Sequence, residues 1–215
     1  MSTASGAHCM EGLLFLKSLL IGLSIAAPVG PIGLLCIQRS LGHGARIGFI
    51  SGLGAAAADA CYGALGAFGI GAITQAFVAL ATPLALAGAL FLAWIGLRML
   101  RATLPERAAR AGDPVRALPA FASVFLLTLS NPLTILSFIA IFATLAGGEA
   151  LSGPAGLVMV VGVFCGSALW WLALCLGVAT VRHRLDAHAM RWIDRTAGAF
   201  LLGFAAWQLA RVVAS

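Results

Sequence analysis

The chain has 215 residues, of which 61% are hydrophobic and only 9% are charged. Soluble globular proteins average about 45–50% apolar and about 25% charged residues, so this composition excludes an ordinary soluble domain and predicts an integral membrane protein. A formal net charge of +6 would suggest nucleic-acid binding in a soluble protein. In a membrane protein the positions of the charges carry the information instead, and no nucleic-acid partner is predicted.

Long uncharged runs predict an all-α, polytopic fold with six transmembrane helices, because about 20 apolar residues cover the hydrocarbon core of a bilayer. All basic residues except Lys17 and Arg211 lie between helices one and two, three and four, or five and six. By the positive-inside rule these loops face the cytoplasm and both termini face outward. The predicted spans are roughly Leu13–Ile37, Arg46–Ile70, Val78–Leu97, Ala120–Ala146, Leu157–Val181 and Thr196–Val213.

The first predicted helix is interrupted inside its own uncharged run, which extends from Ser18 to Ile37. Pro28 and Pro31 lack a backbone N–H, and Gly30 between them adds conformational freedom, so no straight helix is expected. Carbonyl groups freed at membrane depth are tolerated only inside protein or beside a water-filled cavity. We therefore interpret the break as a candidate binding site, with a proline kink that only shapes packing as the alternative.

The second predicted helix combines small residues with one acid. Gly48 and Gly52 are four residues apart and allow another helix to approach closely, so this helix is expected to be central. Asp59 is the one acidic residue well inside a predicted span, where it costs on the order of 2.5–3.5 kcal/mol. Tyr62 follows at i+3 on the same face. We predict a functional role for Asp59, with a structural aspartate that caps a neighbouring broken helix as the alternative.

The fourth predicted helix repeats the interruption, because Asn131 and Pro132 lie inside its uncharged run. Helices one and four are three helices apart, and a three-helix unit that occurs twice must be inverted in the membrane. In such proteins, paired discontinuous helices mark a substrate site near the bilayer midplane. The prediction is a single transporter domain over residues 1–215, with repeat one at about 13–97, a cytoplasmic loop at 98–119 and repeat two at about 120–213.

Several motifs together resemble the lysine-exporter (LysE/RhtB) family of small bacterial inner-membrane transporters, over essentially the whole chain. They are Pro28-Val29-Gly30-Pro31, the glycines at 42, 44, 48 and 52, Asp59 with Tyr62, and Ser130-Asn131-Pro132. The usual first signature of that family is Pro-Gly-Pro, and Val29 is inserted here. The resemblance implies a secondary exporter of amino acids or related small metabolites in the bacterial inner membrane, and not an enzyme. A secondary exporter is not driven by ATP, and consistently the chain has no phosphate-binding G-x-x-x-x-G-K-[ST] loop.

On this hypothesis the substrate lies between the two breaks, near Asp59. Half-helix N-termini would hold a substrate carboxylate, while Asp59 carries a proton or pairs with the substrate amine. The predicted partners are a small-molecule substrate and membrane lipid, homo-oligomerisation is left open, and no cofactor is predicted. The predicted substrate-binding residues are Pro28, Gly30, Pro31, Asp59, Tyr62, Asn131 and Pro132, and Asp59 is also predicted to couple transport to protons.

Two other functions are compatible with a small polytopic protein. An intramembrane thiol electron carrier needs paired cysteines, for which Cys36 and Cys61 are the candidates. A metal-ion exporter needs several carboxylates or histidines within the spans, and Asp59 alone counts against it. No metal site is therefore predicted.

Overall fold

The structure is a computed structural model that describes residues 2–28, 30–68, 71–101, 116–131, 134, 137–138, 153–182, 184–185 and 187–214. These residues contain seven longer α-helices and no β-strand, so the predicted all-α class is confirmed. The helices are α1 (Ser2–Ala26), α2 (Pro31–His43), α3 (Ala45–Phe68), α4 (Gly71–Arg101), α5 (Ala117–Leu129), α6 (Gly153–Arg182) and α7 (Ala187–Ala214).

Three helical segments in the described part of the chain are long and apolar enough to cross a membrane. They are Ala45–Phe68, Thr82–Arg101 and Gly153–Arg182, and the bent pair Met10–Ala26 and Pro31–His43 counts as a fourth if it forms one span. Six spans therefore remain a prediction. α1 begins well before the predicted start at residue 13, and α4 continues four residues past its predicted end at residue 97.

The helix α3 lies at the centre of the bundle, as its small residues predict. Over its most apolar window, 56% of α3 is buried, against 33% for the corresponding windows of α4 and α6. A Cβ atom on Gly54 would collide with the backbone of Phe121 in α5, and one on Gly52 would collide with the Trp171 side chain in α6. Glycine at these positions therefore sets how closely α3 approaches its neighbours.

Two further helix pairs complete the bundle. α1 packs along α6, where Gly166 faces the backbone of Leu19, and α4 packs along α7, where Gly96 faces Gly198. A Cβ on Gly96 would lie 2.8 Å from the Gly198 carbonyl oxygen, and a Cβ on Gly198 would lie 2.9 Å from the Gly96 carbonyl oxygen. The closest approach of α4 and α7 is thus a reciprocal contact between two backbones.

Several arginine-rich helix ends meet at one end of the bundle, which we call the basic end. Arg39 near the end of α2 donates to the carbonyl of Ala120 near the start of α5, and the Gln38 amide donates to Asp194 near the start of α7. The guanidinium of Arg182, at the end of α6, lies over the turn between α2 and α3. The chain thus brings together ends that the charge pattern assigns to one side of the membrane.

Candidate functional site

The first helix break lies between α1 and α2. The Ala27 N–H donates to the Leu23 carbonyl at 3.0 Å, and α2 begins with Pro31 after an extended Gly30 (φ −106°, ψ −161°). Proline fits the first position of a helix, because an N–H there would have no intrahelical partner. The flanking segments Met10–Ala26 and Pro31–His43 are bent by 82°. The predicted interruption is therefore present as two separate helices, and no side chain caps the N-terminus of α2.

The second break follows the end of α5 at Leu129. Pro132 lacks the N–H that would bond the Thr128 carbonyl in a continuous helix, and the Asn131 N–H donates to that carbonyl instead, at 3.1 Å. The Leu129 carbonyl accepts a hydrogen bond from the Tyr62 hydroxyl at 2.7 Å. Carbonyls at this break are thus satisfied by protein groups, as a helix end inside a membrane requires. The structure of Pro132 itself lies outside the described residues.

The two breaks line one small cavity of about 10 Å³. The start of α2 and the end of α5 face each other across it, and α4 and α7 close its remaining sides. A cavity of this size holds about one water molecule, so this conformation leaves no room for an amino acid. Its lining residues are Pro31, Ile32, Leu92, Leu127, Ser130, Asn131, Phe204 and Gln208.

Asp59 lies in a second polar cluster, at the contact between α3 and α6. Its side chain is 3% exposed, and its Oδ2 accepts a hydrogen bond from the Ser167 hydroxyl at 2.7 Å. The Ser167 oxygen in turn accepts the indole N–H of Trp171 at 3.1 Å. Because Ser167 accepts from Trp171, its single proton can be directed to Asp59. Asp59 is therefore a buried carboxyl group held by a directed chain of hydrogen bonds.

Asp59 and the cavity are separate in this conformation, because the described lining of the cavity does not include Asp59. Tyr62 stands between them. It follows Asp59 by one helical turn of α3, and its hydroxyl binds the Leu129 carbonyl, next to Ser130 in the cavity wall. If α3 moves at Asp59, Tyr62 moves with it, and its hydrogen bond to the Leu129 carbonyl can transmit the movement to the end of α5.

The predicted site residues have different surroundings. Pro31 and Asn131 line the shared cavity, whereas Pro28 is exposed. Gly30 is half-buried, and a Cβ atom there would meet no other atom within 4 Å. The break thus contributes its helix-starting proline to the cavity, while Pro28 lies exposed in the connection between α1 and α2.

Arg39 is a residue of this region whose contacts were not foreseen from the sequence, which places it only among the basic loop residues. Its Nη1 donates to the Ser51 hydroxyl at 2.9 Å and to the Ala120 carbonyl at 2.8 Å, and its Nη2 donates to the Ser123 hydroxyl at 2.8 Å. One guanidinium therefore joins α2, α3 and α5 at the basic end. Ser51 in α3 and Ser123 in α5 were the available signal, but a serine alone does not identify its donor.

The cysteine pair required by a thiol carrier is not brought together. A Cβ on Gly48 would lie 3.0 Å from the Cys36 carbonyl oxygen, so Cys36 lies beside that turn of α3. Cys61 follows Gly48 by 13 positions along the same helix, which is about 20 Å at the α-helical rise. Disulfide-bonded Cα atoms lie within roughly 7 Å of each other. The thiol-carrier alternative is therefore not supported.

A helical bundle with several apolar spans, two helix ends that meet at an internal cavity, and a buried acid one helical turn from the tyrosine that binds one of those ends is typical of multi-pass membrane transporters. Comparison with known proteins agrees. The chain matches the model of the LysE type translocator family over residues 23–211, and it belongs to that family. It is accordingly a transporter and not an enzyme.

Named relatives align along much of their length. The chain is 32% identical to "Putative amino acid efflux protein YcgF" of Bacillus subtilis (strain 168), over 89% of this chain and 92% of that protein. It is 24% identical to the threonine efflux protein of Salmonella typhi, over 89% and 95% respectively. It is 29% identical to the leucine efflux protein of Enterobacter sp. (strain 638), over 53% and 54%. No solved structure matches the chain significantly.

Proposed function

We propose that this protein exports amino acids or closely related metabolites across the bacterial inner membrane, driven by a proton gradient. The observation that carries the proposal is the cavity shared by the start of α2 at Pro31 and the end of α5 at Asn131. The names of the Bacillus, Salmonella and Enterobacter relatives, all efflux proteins for amino acids, support the substrate class and the direction.

The chemistry of the cavity suits a zwitterion. The uncapped N-terminus of α2 presents the positive end of a helix dipole, which favours a carboxylate. Ser130, Asn131 and Gln208 on the opposite walls supply oxygens that can accept the hydrogen bonds of an ammonium group. Since the cavity holds only about one water, binding of an amino acid requires α2 and α5 to move apart.

Two inverted three-helix repeats account for the helix contacts. Exchanging α1 with α5, α3 with α6, and α4 with α7 converts the α1–α6 contact into the α5–α3 contact. It leaves the α3–α6 and α4–α7 contacts unchanged. The exchange also relates two glycine contacts, that of Gly166 in α6 with α1 and that of Gly54 in α3 with α5. It maps the contact between Gly96 and Gly198 onto itself. These relations support repeats at about 13–97 and 120–213 within a single domain.

Asp59 is the proposed proton carrier. A buried carboxyl group is disfavoured in its charged form, and the Ser167 hydroxyl that donates to Oδ2 stabilises that charged form. A group balanced between these effects can take up and release a proton as its surroundings open. Tyr62 then connects the protonation of Asp59 to the end of α5 at Leu129.

The test is export by the protein in cells. We expect cells without the protein, fed with dipeptides, to accumulate the free amino acid that the protein exports, and we expect restored expression to lower that intracellular level. Isotope-dilution measurement of intracellular amino acids after feeding each of the standard dipeptides would identify the substrate. Unchanged levels of every amino acid would contradict the proposal.

We expect both termini to face outward and the basic end to face the cytoplasm, because the arginines follow the positive-inside rule. Alkaline phosphatase fused after Ser215 should then be active, since that enzyme folds only outside the cytoplasm. The same fusion after Arg116, at the start of α5, should be inactive. A reporter that is active only in the cytoplasm at Ser215 would overturn the orientation and the even number of spans.

We expect Arg39→Lys to loosen the basic end, because an ammonium group cannot reproduce three hydrogen bonds from a planar fork. Each lost bond to a charged group costs about 1.5–3 kcal/mol. In a cysteine-free background, a cysteine introduced at Ser130 should react faster with an impermeant maleimide added from the cytoplasmic side. Arg46→Lys is the matched control, because Arg46 is exposed at the same end. Equal labelling rates in both variants would show that Arg39 does not close the cytoplasmic side.

A further inference from the structure

A long apolar groove lies on the surface of the bundle near the basic end, with a volume of about 650 Å³. Its floor is one face of α6 from Trp170 to Val181, and its walls include Ile37 and Leu41 of α2 and Ile193 of α7. The groove does not share a residue with the cavity between the helix breaks. It is therefore separate from the proposed substrate site.

The length of the groove matches one leaflet of a membrane. Trp170 and Val181 are 11 residues apart on α6, which is about 16 Å along the helix. The hydrocarbon core of one leaflet is about half of roughly 30 Å. An acyl chain that begins at the basic end and stops near the bilayer midplane would fill the groove along its whole length.

The open end of the groove carries positive charge. Arg182 and Arg184 adjoin the lining residues Val181 and Leu185, and both are exposed. The Arg182 guanidinium lies over the turn that follows α2, next to the mouth of the groove. Basic clusters between transmembrane helices at the membrane surface are suited to anionic lipid headgroups.

The described charges near the mouth remain net positive. Two exposed arginines, Arg182 and Arg184, stand against one carboxylate, Asp194. Asp194 adjoins the lining residue Ile193, and its Oδ1 accepts a hydrogen bond from the Gln38 amide at 3.0 Å. A second copy of the chain is a poorer occupant than a lipid, because a symmetric dimer through this groove would place two arginine clusters at the same depth, facing each other.

We propose that the groove is a specific site for one anionic phospholipid of the leaflet at the basic end. One acyl chain lies along α6, and the phosphate lies between Arg182 and Arg184. This site is independent of amino-acid binding, and it takes a diacyl lipid with a net negative headgroup in preference to a zwitterionic one.

Gly177 allows a direct test. It lies in the floor of the groove, and a Cβ atom there would meet nothing within 4 Å. Gly177→Leu should therefore fold normally and occupy the space of the acyl chain. Gly203→Leu is the matched control, since Gly203 is exposed on α7, equally free of contacts and outside the groove.

The measurement is native mass spectrometry of purified protein after incubation with phosphatidylglycerol or phosphatidylethanolamine. The parent and Gly203→Leu should retain one phosphatidylglycerol, and Gly177→Leu should retain at least tenfold less. The double substitution Arg182→Gln with Arg184→Gln, which leaves the groove open, should remove the preference for phosphatidylglycerol. Melting temperatures of all variants report their folding, and the arginine variant tests the site even if Gly177→Leu does not fold.

Three outcomes would overturn the site. Equal retention by Gly177→Leu and Gly203→Leu would show that the lipid binds elsewhere. Equal retention of the two lipids by the parent would show only non-specific surrounding lipid. A dimeric parent with a monomeric Gly177→Leu would show that a second copy of the chain fills the groove.

Discussion

Asp59→Asn is expected to fold and to reach the membrane at the level of the parent protein. Cells that carry this variant should nevertheless export no more amino acid than cells that lack the protein. Asparagine keeps the size of the side chain and can still accept the hydrogen bond from Ser167, but it cannot exchange a proton. A transporter that couples through this carboxyl group should then lose its response to a pH gradient. Efflux of a radiolabelled amino acid from loaded proteoliposomes, with and without an imposed gradient, measures both effects.

Two controls separate coupling from structure. Glu11→Gln neutralises an exposed acid on α1 and should leave transport unchanged. Ser167→Ala removes the described donor to Asp59 but keeps the carboxyl group, so it should shift the pH at which transport is half-maximal while retaining coupling. Parent-like transport and an unchanged pH dependence in Asp59→Asn would show that this residue is structural.

Gly166→Ala is expected to destabilise the bundle severely. A Cβ atom on Gly166 would overlap the backbone carbonyl of Leu19 in α1, and a backbone atom cannot be moved aside as a flexible side chain can. Overpacking typically costs about 1–3 kcal/mol and occasionally more, and a clash with backbone belongs to the upper part of that range. The variant should be depleted from the membrane fraction, and the purified remainder should melt at a lower temperature.

Gly177→Ala is the matched control on the same helix, because a Cβ atom there meets no neighbour. Replacing a helical glycine by alanine at an unobstructed position is worth about 0.5–1 kcal/mol in the stabilising direction. A thermal-shift assay on both variants should therefore give changes of opposite sign. Equal stability of the two proteins would show that α1 and α6 are less closely packed than described.

The features that the sequence predicts well are those that depend on local chemistry. Pro31 and Pro132 remove helical hydrogen bonds wherever they occur, so the chain shows where two helices must end. The small residues of α3 likewise predict close packing, although Gly48 and Gly52 contact different helices, α2 and α6. In these cases one residue type determines the local outcome.

The features that the sequence does not predict depend on how helices pair across the bundle. Asp59 and Ser167 are 108 residues apart, and no pattern in either segment indicates that they meet. For the same reason the sequence predicts Asp59 beside the helix breaks, whereas the structure has Tyr62 between Asp59 and the second break. The role of Arg39 was missed because its acceptors are two serines and a carbonyl from other helices, and positive charge near a loop has a simpler interpretation.

The bare contact between Gly96 and Gly198 limits how the transporter can change shape. No side chain separates the two backbones there, so α4 and α7 cannot come closer, and Met99 and Leu202 flank the point of contact. Because glycine has no side chain, α4 and α7 can still change their crossing angle without any rotamer change at this contact. The geometry thus provides a pivot about which α4 and α7 can change their crossing angle while their separation stays fixed.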